Sequence, residues 1–477
     1  TVVKDIISPY FTLPAGTTAS SIRIDTYDCT GKDGNIYTWN RTSGGNGGAS
    51  AKVNDDQVSV TGFNFSENWC GTETDAQGNT TVRGKKLVIS FEVSPKSGFL
   101  GGNDVITNAS AGIYENGSAQ TPVMTFEQPK VNVPIKDVTV TAEDKNVYLK
   151  GEVTADQLKD GAEISVGDVK LDLSKATDAD KPYGLDPWQT EYVDITVTVK
   201  DKDSNVISDK LADLKEDTTY TVTVTVTPIK GTPDSTEGTK AETQTGNATG
   251  KINVFKPELT YKDSTAYYGE TVADDFSGNK VAEVWKHGTT EDSGVAMTGE
   301  KPELNITYTP DSTKVYDGKY GKQDVPVKAA VKINDTDVTS DTTFVHQPCG
   351  PDCGWTDPTA KGDPAFLIHV KTCTLKITKT GGAADETYVF TVKKDDVEYS
   401  EVTIQGNGTE TLVELPIGTY TIEEDTGWSW RYTANNGNSA ALTAQNHTGT
   451  ITCTNTKTKD TWLNGFSAVV RNIFKAN

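Results

Sequence analysis

Methionine and histidine are scarce in this chain, with 2 and 4 copies in 477 residues, and there are only 6 cysteines. The four histidines are His287, His346, His369 and His447, and none stands beside a motif serine or cysteine. A hydrolase would have few general bases here, and no catalytic triad or phosphate-cradling loop is visible. No apolar run reaches the roughly 20 residues that a membrane-crossing helix needs. Basic residues are also short, 45 Lys+Arg against 67 Asp+Glu, for a formal charge of -22. Such a surface repels phosphate backbones and anionic headgroups, which excludes nucleic acid as a partner and argues against membrane insertion. The excess acid is spread along the chain and reads as the solubility of an extended, exposed surface. No basic-then-apolar leader opens the numbered sequence and no Leu-Pro-x-Thr-Gly signal closes it, so a mature product or a fragment is expected.

What is present is a β-rich vocabulary. Thr, Val, Gly and Asp are plentiful and hydrophobic residues make up 34%, as expected of many short strands joined by polar turns. At about 100–150 residues per domain, the length predicts three to five modules. The fold class expected is all-β: tandem immunoglobulin-like β-sandwiches with a short C-terminal amphipathic helix. Strand signals run through Ser21–Ile24, Val58–Val60 and Lys86–Val93, each bounded by Gly, Asn or Asp. Pro129 and Pro134 bracket an extended connector. Tyr220–Thr227 then alternates apolar and hydroxyl side chains at period two, one buried face and one wet face.

These signals place modules at 1–133, 134–254 and 255–346, a Pro- and Gly-rich linker at 347–370, a further module at 371–458 and a tail at 459–477. The tail departs from the strand pattern. Trp462, Phe466, Val469, Val470, Ile473 and Phe474 form one stripe of an amphipathic helix with Asp460 as its N-cap, suited to docking on the preceding module or on a neighbouring subunit.

The six cysteines, Cys29, Cys70, Cys349, Cys353, Cys373 and Cys453, include no Cys-x-x-Cys redox motif. An even count fits disulfides in an oxidising compartment. Cys29 with Cys70, Cys349 with Cys353, and Cys373 with Cys453 would use them all. His346, Cys349, Cys353, His369 and Cys373 also have the residue types of a zinc site, but thiols of a secreted chain oxidise, so disulfides are favoured and neither metal nor other cofactor is expected. Asp201–Asn205 with Asp209 reads as an acidic hairpin turn, since it lacks the Gly and closing Glu of a calcium loop.

Three stretches carry a family resemblance. Leu375–Thr380, Leu415–Glu424 and Thr452–Thr456 together resemble the B-type repeat domain of collagen-binding adhesins and of pilin subunits from Gram-positive bacteria. That resemblance implies an intramolecular isopeptide bond between Lys379 on a first strand and Asn455 on a last strand, assisted by Glu424. The chemistry needs such a set, because an amine attacks only when neutral, and burial in an apolar core disfavours charge on both a lysine and a carboxylic acid. The protonated acid can then polarise the carboxamide and pass a proton to the departing ammonia. A disulfide between Cys373 and Cys453 could replace that cross-link or add to it.

More weakly, Val2–Phe11 resembles the segment that follows a von Willebrand factor A domain, and Val105–Ala109 resembles the strand that supplies the bonding Asn in pilin-type isopeptide domains. This implies Asn108 with Asp5 as its acid, and either a lysine upstream of Thr1, outside the numbered chain, or no bond in this module. In the second module, Lys136, Asp194 and Asn247 are the corresponding candidates. The resemblance implies a non-enzymatic extracellular stalk on a bacterial cell surface, with at most a single-turnover reaction on itself. Two other roles remain open: a repeating filament subunit that binds copies of itself, and a direct binder of a host glycoprotein, immunoglobulin or glycan.

Overall fold

The computed structural model describes residues 1–42, 46–63, 71–229, 236–273, 275–311, 324–347, 364–427 and 432–458. The expected tail helix with Trp462, Phe466, Val469, Val470, Ile473 and Phe474 lies outside these residues, as do Cys70, Cys349 and Cys353. The described residues are almost all strands and turns arranged in packed β-sheets, and the chain forms two compact units. One is Thr1–Lys145 with Glu152–Asn253, the other Asn146–Gly151 with Val254–Asn477.

In the first unit, Val2–Ile7 lies inside a five-stranded sheet, antiparallel to both Asn108–Tyr114 and Gln57–Thr61. A three-stranded sheet of Ile36–Arg41, Arg23–Asp33 and Lys85–Ser90 packs Leu87 and Ile89 toward Val3 and Val60. Val193–Asp201 and Thr218–Pro228 pair antiparallel from Val193 opposite Pro228 to Asp201 opposite Tyr220. The period-two reading of the latter strand is what the fold uses: Tyr220, Val222, Val224 and Val226 are fully buried, and Val224 and Val226 share a core with Ile164, Val166 and Leu171.

In the second unit, residues 256–261 pair antiparallel with Lys280–His287 and residues 258–262 pair parallel with Thr343–Gln347. An aromatic core fills this module, with Tyr261 stacked on Phe366 at 5.5 Å between ring centres. Phe366 corrects the expected linker at 347–370. Phe366–Lys371 is a strand, parallel to Ser264–Tyr267 and antiparallel to residues 324–327. Its own alternation explains why: Phe366, Ile368 and Val370 are buried on one face, a signal masked by the Pro and Gly just before it.

The last module is a sandwich of two four-stranded sheets. One runs Gly408–Leu415, Cys373–Thr380, Thr448–Lys457, Tyr432–Asn435; the other runs Val397–Gln405, Thr387–Lys394, Gly418–Glu424, Ala440–Leu442. First strand and last strand are parallel neighbours, with Thr374 opposite Thr448 and Lys379 opposite Cys453. Such a pair cannot be joined by a hairpin and is held only by its ladder and by whatever crosses it.

That register overturns the expected disulfide between Cys373 and Cys453. Cys373 lies six positions before Lys379, the residue opposite Cys453, which is about 20 Å at ~3.3 Å per residue. A disulfide needs Cα atoms within about 7 Å. Both thiols are free and fully buried. Cys29 is also a buried free thiol, 3.5 Å from the Gly31 carbonyl oxygen.

Candidate functional site

Three strands of the last module end their inward faces in the same way. Along the first strand the inward side chains are Cys373, Leu375, Ile377 and then Lys379; on the facing sheet they are Tyr420, Ile422 and then Glu424; on the last strand they are Ile451, Cys453 and then Asn455. Each strand places apolar residues at period two and then a polar one, so the three polar groups gather at one end of a dry core. Relative exposures of 1% for Lys379, 4% for Glu424 and 4% for Asn455 mark how completely they are removed from water.

The contacts are short. Lys379 Nζ donates to Glu424 Oε2 at 2.8 Å, and Asn455 Nδ2 donates to Glu424 Oε1 at 2.8 Å. The carboxylate therefore spans the amine and the carboxamide, one oxygen to each. Tyr388 and Phe390 cover the amine, with Nζ 4.4 Å from the Tyr388 ring centre and 6.0 Å from that of Phe390, an arrangement that attracts a cation to the ring face. The backbone N–H of Glu424 donates to Asn436 Oδ1 at 3.0 Å, which fixes the strand end that carries the acid.

A fourth member of this cluster, Cys453, expected as a disulfide partner of Cys373, is instead a free thiol. Cys453 Sγ lies 3.0 Å from Glu424 Oε2 and 3.8 Å from Lys379 Nζ. Burial, and next the hydrogen bond to Glu424, push its thiol up to about 12, so it stays protonated near neutral pH. Its position two residues before Asn455 on the same strand face was the available signal.

The other sequence candidates fare differently. Asp5 and Asn108 sit on neighbouring antiparallel strands, Asp5 opposite Ala111 and Ile7 opposite Asn108, with a register shift between Ile6 and Ile7. Asp5 Oδ1 and Asn108 Oδ1 are both buried without a hydrogen-bond partner, and desolvation pushes the Asp5 carboxyl up to about 6. Asp5 lines a cavity of about 450 Å³ together with Val3, Val58, Leu87 and Ile89. The second-module candidates are not brought into a core. Lys136 Nζ pairs with Asp168 Oδ1 at 2.7 Å at the surface, and Asp194 and Asn247 are both exposed. Charged groups in water lack the desolvation that the amide-forming chemistry needs.

His346 and His369, weighed above as metal ligands, have other partners. His346 Nε2 contacts the Pro364 carbonyl oxygen. His369 lies between two carboxylates, Nδ1 2.6 Å from Asp324 Oδ1 and Nε2 3.3 Å from Asp263 Oδ2. Cys373 packs inside the last sandwich with Leu375 and Tyr420.

No protein-family profile and no curated protein matches this sequence. Among solved structures, it is similar to a pilus adhesin of Lactobacillus rhamnosus GG in an open conformation, at 11% identity and a TM-score of 0.22, covering 96% of this chain and 56% of that one. It is also similar to a Mobiluncus mulieris adhesin containing intramolecular disulfide, isopeptide and ester bond cross-links, at 14% identity and a TM-score of 0.19, covering 56% of this chain and 99% of that one. The major pilin subunit of Bacillus cereus matches at 10% identity and a TM-score of 0.21, covering 68% of this chain and 99% of that one. The chain thus spans little more than half the length of the first of these proteins.

Proposed function

We propose that this chain is a stalk segment of a bacterial cell-surface adhesin or pilus, and that its last module carries a self-formed isopeptide bond between Lys379 and Asn455. The observation that supports the reading is the buried set of amine, carboxylate and carboxamide at 2.8 Å spacings across first strand, facing sheet and last strand.

The step balances within the protein. Glu424 accepts a proton from the Lys379 ammonium along their hydrogen bond, which frees the Nζ lone pair. Nζ attacks Cγ of Asn455, forming the new C–N bond, while the Cγ–Nδ2 bond breaks. Nδ2, facing the same carboxyl group, takes a proton from it and departs as ammonia, and the carboxylate so regenerated takes the second proton that Nζ sheds as it becomes an amide nitrogen. The reaction runs once and consumes its own residues, so the module is a substrate of itself and turns over nothing else.

The consequence is mechanical. First and last strands run parallel side by side, so a pull on the two ends of the module loads them in shear against their ladder. An amide between Lys379 and Asn455 carries that load covalently. Single-molecule pulling on the whole chain tests this. Roughly 76 residues between the two positions, about 26 nm at ~3.4 Å per residue, stay unextended at forces that unravel the other modules. Release of that length at ordinary unfolding forces contradicts the proposal.

A further inference from the structure

We propose that Cys453 is a positioning residue for the amide-forming step, its S–H pinning the Glu424 carboxylate so that one oxygen faces the amine and the other the carboxamide. The inference rests on the isopeptide reading above and adds to it a fourth side chain.

A thiol has one hydrogen to give. Within reach of Cys453 Sγ are Glu424 Oε2 at 3.0 Å, Asn436 Oδ1 at 3.7 Å and Asn455 Oδ1 at 4.0 Å. Asn436 Oδ1 already accepts the Glu424 backbone N–H, and the nearest acceptor is the carboxylate. The thiol hydrogen is therefore directed to Oε2, the oxygen that Lys379 also uses.

The terminal torsion of a glutamate is soft and broadly two-fold. With one donor on each oxygen, Lys379 Nζ on Oε2 and Asn455 Nδ2 on Oε1, the carboxylate can still rock about that torsion and lengthen its contact with the carboxamide. Two donors converging on Oε2 from different elements, the first strand and the last, leave one orientation in which Oε1 meets Asn455. A thiol is suited to the place because it stays neutral there, with its pKa pushed up to about 12, and so does not compete with Lys379 for the carboxamide carbon. The side chain is fully buried.

The test follows full-length chain released from cell-free synthesis, quenched at intervals and weighed intact, so that loss of ammonia is read directly as about 17 Da. The native chain and Cys453→Ser, Cys453→Ala and Cys453→Val are compared. Serine keeps a donor at the position and is expected to lose ammonia within about threefold of the native rate. Alanine and valine lack the donor and are expected to react roughly tenfold more slowly or worse, the effect of one charge-directed hydrogen bond. Valine controls for packing, since it restores volume without a hydrogen-bond donor. A valine variant as fast as native, or a serine variant as slow as alanine, overturns the positioning role. A native chain that never loses ammonia overturns instead the isopeptide reading beneath it.

Discussion

Lys379 and Glu424 meet at 2.8 Å from opposite sheets of one sandwich, both side chains wholly out of solvent. A buried ion pair is a poor stabiliser on its own, because two desolvation penalties stand against one attraction, and removal of one partner leaves the other charge stranded. Burial of this pair makes sense as the reactant state of a bond. Glu424→Ala is expected to abolish the loss of ammonia and to destabilise the last module by at least about 4 kcal/mol, since freeing a loop of this length restores chain entropy. Calorimetry of the variant beside the native chain checks the second half of that statement.

Gly381 gives a way to disturb the site without touching its chemistry. Its φ of 71° lies in the left-handed region, and a Cβ there would fall 2.1 Å from the Asn455 carbonyl oxygen. Gly381→Ala must therefore shift the last strand where it carries Asn455. The expected result is slower amide formation and a loss of about 1–3 kcal/mol, measured by intact mass and by chemical unfolding.

The separation of Cys373 from Cys453 along parallel strands predicts two independent thiols. Alkylation in denaturant without reductant should label both residues, and peptide mapping reads this directly. A mapped peptide joining the two would contradict the register.

Asp5 adds a pH dependence to the first unit. Its carboxyl is pushed from 3.8 to about 6 by desolvation, so between pH 4 and pH 6 the folded state holds a proton that the unfolded chain has released. Stability from this group is therefore greatest below pH 4, falls as pH rises through that window, and levels off above it. Asp5→Asn is expected to remove that slope and to stabilise the unit at pH 7.5 by about 1–2 kcal/mol, after discounting for solvent screening at a partly open position. Unfolding free energies measured from pH 4 to pH 8 provide the check.

Much of this architecture was legible in period-two alternation. Tyr220 to Thr227 wrote its buried and wet faces openly, and the three polar residues of the last module followed apolar ones at the same spacing. What stayed hidden has physical causes. Phe366–Lys371 was obscured by the Pro and Gly that precede it, although its own pattern was regular. The pairing of Cys373 with Cys453 failed because counting thiols says nothing about register, and neighbouring parallel strands bring two cysteines together only when the residues are in step, whereas Cys373 stands six positions before the partner of Cys453. Lys136, Asp194 and Asn247 share residue types with the buried Lys379, Glu424 and Asn455, but Lys136 lies between two strands at the surface and the strands of Asp194 and Asn247 turn them outward, and type without burial carries no such chemistry. Cys453 reads in the sequence as a disulfide partner of Cys373, because an even count of thiols suggests pairing and the resemblance names only three residues for the site.

The most direct measurement is the mass of the intact full-length chain after complete reduction, followed by tandem fragmentation of its protease digest. The account predicts a mass about 17 Da below that of the sequence, with one branched peptide that joins the segment around Lys379 to the segment around Asn455. An unaltered mass with separate linear peptides, and Lys379 open to amine-reactive reagents in the denatured chain, would contradict it.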